Sequence, residues 1–390
     1  MARKGKTKSI LLVNQSTGYL MTDIVNAFVQ SGKYDRVELF AGEINIRPSV
    51  PDPSVHIIKT IKYNKKSTFR RLFSWVFAYL HLLFVVWFRG KDYELFLVSN
   101  PPLTVFIPPL TRKQYSILIY DIYPDSLFSQ GFIKQNSFIA RWWTKKNRQV
   151  FAKAQNVFTI SDDMKKAVAK YIEEKKIDVV YNWAHNEHLG PVEKGRNTFL
   201  RELGISNKFI ILYAGNMGMT HDIDVIVDVA ARLKEHDDIR FVFIGEGAKK
   251  PVIEQRIKDY SLHNCIVLPF QPMEVLPYSM GAADIAVVTT DTNQTGLSIP
   301  SKTYSYLAVG AALLCLADKK SELGRMVTDN GVGECFGRDE LDLMTEFVML
   351  LYADKDKANE YKTNSRKLSL LYTPENAKQY VKSLVSLKNI

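Results

Sequence analysis

Short β-branched apolar runs alternate with helix-length segments along this whole 390-residue chain, a pattern satisfied by parallel sheets whose strands are joined by crossover helices. In the first half the strand-like runs are Ile10 to Asn14, Val37 to Ala41, Val55 to Ile61, Leu95 to Ser99, Ser116 to Tyr120, Val157 to Ser161 and Asp178 to Tyr181. Helices are predicted between them near 20–31, 67–88, 137–153 and 163–172. The second half repeats the rhythm with Phe209 to Ala214, Ile239 to Gly245, Ile266 to Pro269, Ile285 to Thr290 and Ala312 to Leu316. Its helices are predicted near 222–235, 251–261, 274–282, 301–309, 319–328 and 340–353. The rhythm stops from Glu187 to Asn207, a polar stretch with Gly190, Pro191, Gly195 and Gly204. The expectation is therefore an α/β chain of two doubly wound parallel-sheet domains, residues 1–195 and 196–372, with 373–390 as a helix packing back on the first. Open α/β sheets bind ligands beyond the carboxyl ends of their strands, which places the expected site in a cleft where the two domains face each other.

Charge divides the halves. Residues 1–195 hold 29 Lys and Arg against 16 Asp and Glu, whereas residues 196–390 hold 23 against 25. Between 59 and 91 lie eight basic side chains (Lys59, Lys62, Lys65, Lys66, Arg70, Arg71, Arg89, Lys91) and no acid, a block suited to a polyanion. Inside it, Leu72 to Phe88 carry no charge and only Ser74 and His81 as clearly polar side chains, at the short limit for a bilayer span. A crossing would split one sheet across the membrane. The basic flanks, with Trp75, Tyr79 and Trp87, instead predict a helix lying on an anionic bilayer, and the basic, aromatic run Arg141 to Arg148 offers a second contact. The alternative is a core helix, apolar all round. No nucleic-acid reader motif accompanies these residues, so no nucleic-acid partner is expected.

Cys265, Cys315 and Cys335 form no CxxC, and Ile10 to Val13 is too short for a signal-peptide core. These features predict a reduced, cytoplasmic protein, peripheral on the inner face of the cell membrane. His185 and His188 have a spacing that suits a metal but lack a third ligand, so no metal site is expected. Trp183 is read as packing at a strand end.

Three motifs in the second half carry phosphate chemistry or ordinary turn grammar. Leu212 to Asp222 reads as a strand, a turn with Gly215 and Gly218, and a helix start, where backbone amides and the helix dipole suit a diphosphate. An ordinary βα turn needing positive φ explains the same glycines. Gly245, Glu246 and Gly247, followed by Lys249 and Lys250, close the next strand, and a structural turn is again sufficient. Pro300 and Ser301 open a helix, with Ser301 or Thr295 as its cap and Lys302 in its first turn, where the dipole disfavours a cation unless an anion is bound there.

Taken in order, these pieces resemble the retaining glycosyltransferases of family 4. Asp121-Ile-Tyr-Pro-Asp125 is similar to the acceptor-domain signature, Phe158 to Asp162 to its "ISD" strand end, and Tyr213 to Gly218 to the "YAGNxG" loop. Phe243 to Gly247, Ala283-Asp284, Pro300 to Lys302 and Tyr306 to Gly310 follow in the family's order. The resemblance is closest to the subgroup that transfers N-acetylamino sugars such as N-acetyl-fucosamine in O-antigen and capsule assembly. It implies the GT-B fold, a UDP-sugar donor and a polyprenyl-diphosphate-linked acceptor, with no cofactor and no metal. It further implies donor contacts from Gly215, Asn216, Gly218, Gly245, Glu246, Gly247, Phe270, Pro300, Ser301, Lys302 and Ser305. Asp121 and Asp125 fall on the acceptor side, and Asp121 and Lys302 in the catalytic roles. Read as residues alone, the two aspartates are equally turn-makers and N-caps around Pro124.

The sequence also departs from the family. Leu297 and Ser305 stand where many members carry two glutamates, and Asn216, His221 and Asp222 stand near the family's phosphate-binding Arg and Lys. Lys302 is left as the main cation for the donor. Two other readings stay open: a sugar-nucleotide epimerase on the same fold, which needs no lipid, and a non-catalytic membrane adaptor.

Overall fold

The structure, a computed structural model, describes residues 8–45, 48–64, 67–90, 93–129, 131, 133–290 and 298–386. Lys65, Lys66, Lys91, Thr295 and Leu297 lie outside them. The chain divides into two compact units, residues 1–181 with 374–390, and residues 182–373.

The first unit is built on β1 (Ser9–Val13), β3 (Arg36–Ala41), β5 (His56–Lys59), β6 (Tyr93–Val98), β7 (Tyr115–Ile119), β8 (Val157–Thr159) and β9 (Ile177–Val179), all parallel, in the order β5-β3-β1-β6-β7-β8-β9. Two short strands, β2 (Ser16–Thr17) and β4 (Glu43–Ile44), pair beside it. The helices are α1 (Tyr19–Gln30), α2 (Thr68–Trp87), α3 (Pro108–Thr111), α4 (Asp125–Ser129), α5 (Phe138–Lys153) and α6 (Asp162–Val168). β1, β6 and β7 are buried almost throughout, which is why they read as unbroken apolar runs rather than alternating ones. The chain grows outward from β1 to β5, then returns through α2 to lay β6 on the other side of β1. The strand order therefore switches between β1 and β6, and the carboxyl ends of those strands open the crevice where such folds bind ligands. The last helix (Ala377–Ser386) closes this unit: Tyr380 is fully buried and its ring meets Phe96 at 5.8 Å and Phe158 at 4.9 Å.

The second unit carries β10 (Phe209–Ala214), β11 (Ile239–Ile244), β12 (Cys265–Leu268), β13 (Ile285–Thr289), β14 (Ala312–Leu316) and β15 (Gly333–Phe336), in the parallel order β12-β11-β10-β13-β14-β15. Its helices are α7 (Thr198–Glu202), α8 (Asp224–Arg232), α9 (Lys250–Asp259), α10 (Leu276–Met280), α11 (Ser301–Ala308), α12 (Glu322–Asp329), α13 (Leu341–Ala353) and α14 (Lys355–Ser369). The same out-and-back winding places its switch between β10 and β13.

This unit begins at Asn182, earlier than the boundary expected from the polar stretch after Glu187. The reason is burial. Trp183 is fully enclosed, Ala184 and Leu189 join the second unit's core, and the Ala184 amide donates to the Tyr372 carbonyl at 3.2 Å. The polar stretch is a packed strap whose apolar residues are too few to register as an element. Three elements of this unit, α7, β15 and α14, were not anticipated. β15 opens on Gly333, where a Cβ would stand 1.9 Å from the Leu313 carbonyl oxygen, and α14 buries a thin stripe of Ala358, Tyr361, Ser365, Leu368 and Ser369 in a polar run.

Candidate functional site

The carboxyl end of β10 and the start of α11 converge on one lysine. α11 is N-capped by Pro300 with no side-chain cap, so Ser301 does not cap it, and Lys302 follows in its first turn. Its Nζ is buried with no hydrogen-bond partner among the described residues, 3.9 Å from the centre of the Tyr213 ring, and burial pushes its pKa down to about 7. Thr303 Oγ1, beside it, is likewise buried and unpartnered. A buried polar group left unsatisfied costs free energy, and two such atoms lie in the first turn of α11.

The loop after β10 is shaped around that lysine. Gly215 has φ +144° and a Cβ there would lie 2.9 Å from Lys302 Nζ. Gly245 (φ +145°) passes so close that its Cβ would be 1.9 Å from the Gly215 carbonyl oxygen, and Gly247 (φ +151°) would meet the Met217 carbonyl oxygen at 2.3 Å. The first, third and fourth of the four motif glycines are thus required by backbone conformation and close approach, whereas Gly218 is not in the left-handed region. The Met217 amide donates to the Glu246 carbonyl at 2.8 Å and is closed to a ligand, while those of Asn216 and Gly218 have no backbone acceptor among the described residues. Tyr306, one helical turn beyond Lys302 and fully buried, accepts the Ala214 amide at 2.7 Å and braces the loop against α11. Its i, i+4 spacing from Lys302 was the available signal for this role.

The other cations near this loop are engaged. Lys249 Nζ donates to Asp224 Oδ1 and to the His221 carbonyl, each at 2.6 Å. Arg338 pairs with Asp222 and Asp224, holding both, and the Lys249 and Arg338 cations keep the Asp224 carboxyl below its ordinary value despite burial. Lys250 pairs with Glu246 at 2.8 Å. His221 turns its Nδ1 to the Asn216 carbonyl at 2.9 Å. Phe270 stands exposed just past the end of β12, and Ser305 is half-buried on α11. A 570 Å³ hollow at the opposite, amino-terminal edge of this sheet is lined by Lys194, Asp284, Lys362 and Arg366; there Lys194 and Lys362 already pair with buried Asp284.

In the first unit, Asp121 follows β7. The amides of Tyr120 and Asp121 donate to Ser99 Oγ at 3.0 and 3.1 Å, which fixes the strand end. Its carboxylate keeps solvent access, yet crowding by its surroundings desolvates it enough to raise its pKa above the ordinary carboxylate value. Tyr63, Tyr123 and Arg71 are near enough to exchange charge effects with it or with one another. Asp125, in contrast, pairs with Lys170 and accepts from Tyr171 Oη at 3.2 Å, so it is held within its own unit as part of α4.

α2 has two apolar faces with different fates. Ser74, Trp75, Ala78, Leu82 and Val86 are buried, whereas Phe69, Phe73, Phe77, Leu80, Phe84 and Trp87 face outward, Phe69 with 79% and Trp87 with 65% of its surface exposed. It is neither the all-round core helix nor a helix free on all sides. Part of the basic block is committed elsewhere: Arg89 joins Arg36 on the fully buried Glu38, and Lys62 reaches Glu43 at 3.6 Å. The rings of His185 and His188 stack at 6.2 Å. Among the described residues no three His, Cys, Asp or Glu side chains converge as a metal site.

Residues 195–368 match the family described as glycosyl transferases group 1. The chain is 25% identical over 348 residues to the probable glycosyltransferase WbjE of Pseudomonas aeruginosa, covering 85% of each protein. It is 27% identical over 230 residues to the putative colanic acid biosynthesis glycosyl transferase WcaI of Escherichia coli, covering 57% of this chain and 56% of the relative. Among solved structures, Anabaena HepE in complex with UDP and glucose superposes with a TM-score of 0.73 at 13% identity, over 98% of this chain and 100% of that one. WaaG, a glycosyltransferase involved in lipopolysaccharide biosynthesis, superposes with a TM-score of 0.67 at 13% identity, over 95% and 99%. With two Rossmann-like units, the chain has the GT-B fold of these neighbours, and its residues 195–368 are similar to the group 1 glycosyl transferases.

Proposed function

We propose that the chain is a retaining glycosyltransferase that moves an N-acetylamino sugar from a UDP donor to a polyprenyl-diphosphate-linked saccharide in surface polysaccharide synthesis, as a peripheral protein on an anionic membrane face. The observation that carries this reading is the buried, unpartnered Lys302 Nζ at the switch point of the second sheet, beside an uncapped helix start. WbjE and WcaI, and the UDP and UDP-glucose complexes of HepE, support the substrate class by similarity. In this reading the acceptor hydroxyl attacks the anomeric carbon from the side the diphosphate leaves, and its proton passes to a diphosphate oxygen. Lys302, the amides of Asn216 and Gly218 and the start of α11 take up the leaving charge, so catalysis rests on positioning and preorganised electrostatics. Asp121 orients the acceptor hydroxyl. No metal or cofactor is assigned a role. The exposed apolar face of α2 favours a lipid-linked acceptor over an epimerase acting on free donor.

The test supplies UDP-linked N-acetylhexosamines to the purified protein with and without a prenyl-diphosphate saccharide, following UDP release and the anomeric configuration of the product. UDP release that requires the lipid, with retained configuration, is expected. Isomerised free donor would replace this reading with the epimerase, an inverted product would remove retention, and membrane binding without turnover would leave an adaptor.

A further inference from the structure

The polar tips of two buried tryptophans in the first unit are unexplained by its folding. Trp75 on α2 and Trp143 on α5 are 9% and 8% exposed, and among the described residues neither indole Nε1–H has an acceptor. Both rings border Tyr123, Trp75 edge-on at 6.3 Å and Trp143 stacked at 6.4 Å, on the short loop that begins with Asp121. Tyr63 stacks on Trp75 at 6.0 Å, and the Arg71 guanidinium, one turn before Trp75, lies 5.5 Å from its ring. A cluster serving packing alone would place phenylalanine here or aim the indoles at carbonyls.

Resting on the acceptor reading above, we infer that Arg71, Trp75 and Trp143, with the hydroxyls of Tyr63 and Tyr123, form a slot for the phosphate of a lipid-phosphate acceptor, beside Asp121 as the group for its sugar. The chemistry of the set is one-sided. Two indole N–H groups and a guanidinium only donate, and two phenols can donate as well, so the ligand end they fit is rich in acceptor oxygens and negatively charged. The Asp121 carboxylate lies close enough to Tyr63 and Tyr123 to act on their hydroxyls, and it suits a hydroxyl a short step from that charge. The same helices turn apolar side chains outward next to the slot: Leu72, Phe73 and Val76 flank Trp75 on α2, and Phe138, Ile139 and Trp142 lead to Trp143 on α5. Phe106 joins the two, with its ring 5.1 Å from Trp142 and 5.3 Å from Trp143. A ligand with a phosphate at one end and a hydrocarbon chain at the other satisfies both sets. A free nucleotide uses only the first.

Full-length protein labelled with ¹⁵N at its five tryptophans allows a direct reading by NMR of the indole N–H signals, assigned with Trp75→Phe and Trp143→Phe. The probes are a short-chain isoprenyl diphosphate, inorganic diphosphate, phosphatidylglycerol vesicles and UDP. The isoprenyl diphosphate is expected to move the Trp75 and Trp143 signals downfield. Arg71→Gln and each Trp→Phe variant should weaken its binding about tenfold, as for loss of one hydrogen bond to a charged group, and leave UDP affinity unchanged. Indole signals that stay in place while UDP binds normally overturn the slot alone, whereas failure of UDP to bind overturns the donor reading and not this one. Equal response to inorganic diphosphate, or response to the vesicles only, would replace the slot with a plain anion site or a headgroup contact and overturn it. If a Trp→Phe variant melts early, Arg71→Gln with the wild-type indole signals decides.

Discussion

Lys302 points its Nζ at the face of Tyr213, 3.9 Å from the ring centre, and among the described residues no hydrogen bond adds to that ring in compensating for taking the amine out of water. With a pKa near 7, the amine is largely neutral in the empty site above that pH. A bound diphosphate restores the charge, so binding takes up a proton. Affinity for a UDP-sugar should therefore fall by up to tenfold per pH unit above about 7 and flatten once the bound amine's own pKa is reached. Calorimetry in buffers of different ionisation enthalpy checks this: proton uptake at pH 8.5 and little at pH 6 is expected for wild type, and none for Lys302→Met. A pH-independent affinity from 7 to 9 would remove Lys302 from the phosphate site.

The same lysine sets a stability slope. Between pH 7 and lysine's ordinary 10.5 the unfolded chain carries a proton there that the folded chain does not. The unfolded state binds more protons, so this group's contribution makes stability rise with pH across that window. Lys302→Met should be more stable than wild type at pH 7, with the difference shrinking towards pH 10.5 in urea titrations; a variant less stable at every pH would mean that the lysine is structurally required.

Gly215 and Gly245 should fail in different ways. A Cβ at Gly215 meets the flexible end of Lys302, whereas one at Gly245 meets the backbone oxygen of Gly215 at 1.9 Å. Gly215→Ala is expected to fold with a cost of about 1–3 kcal/mol from its positive φ and to lose most donor affinity. Gly245→Ala is expected to lose more stability, since neither backbone can yield. Melting curves with and without UDP separate the two.

Tyr306→Phe removes the acceptor of the half-buried Ala214 amide. A loss of about 1–3 kcal/mol is expected from the unsatisfied group, with donor affinity reduced because the loop loses its brace. Unchanged stability by urea unfolding would show that the loop holds itself.

Asp121→Asn keeps the shape of the side chain and its amide contacts with Ser99, and removes the charge. UDP affinity should be nearly unchanged while transfer collapses. Normal transfer would take Asp121 out of the site and return it to turn-making.

The legible parts of this molecule were those with a strong local pattern. The strands from β10 to β14, the helix at Thr68–Trp87 and the glycines after β10 and β11 could be read because parallel strands bury both faces and positive φ selects glycine. α14 escaped because its buried stripe is five residues, two of them serines, in a polar run. Tyr306 and the indoles of Trp75 and Trp143 escaped because a hydroxyl bracing an amide, or a ring N–H left unpaired, depends on residues far apart in the chain. The basic block from 59 to 91 was visible, but not that Arg89 belongs to buried Glu38.

That last relation changes how the first unit should meet a bilayer. Eight cations at about 1 kcal/mol each would make binding mainly electrostatic. With Arg89 on Glu38, Lys62 near Glu43 and Arg71 turned to the aromatic cluster, fewer face a surface. The outward row Phe69, Phe73, Phe77, Leu80, Phe84 and Trp87 is intact, and immersing about 300 Å² of it would contribute about 7 kcal/mol at 25 cal/mol per Å². Apolar immersion should therefore dominate, with a smaller salt-sensitive part from Lys59 and Arg70. Co-sedimentation with anionic and neutral vesicles over a salt series decides it. Phe69, Phe73 and Phe84 changed together to Ser should abolish binding at all salt concentrations, whereas Lys59→Gln with Arg70→Gln should flatten the salt dependence and leave binding to anionic vesicles measurable. If the serine variant sediments like wild type, the outward face of α2 is not the contact and the membrane assignment falls with it.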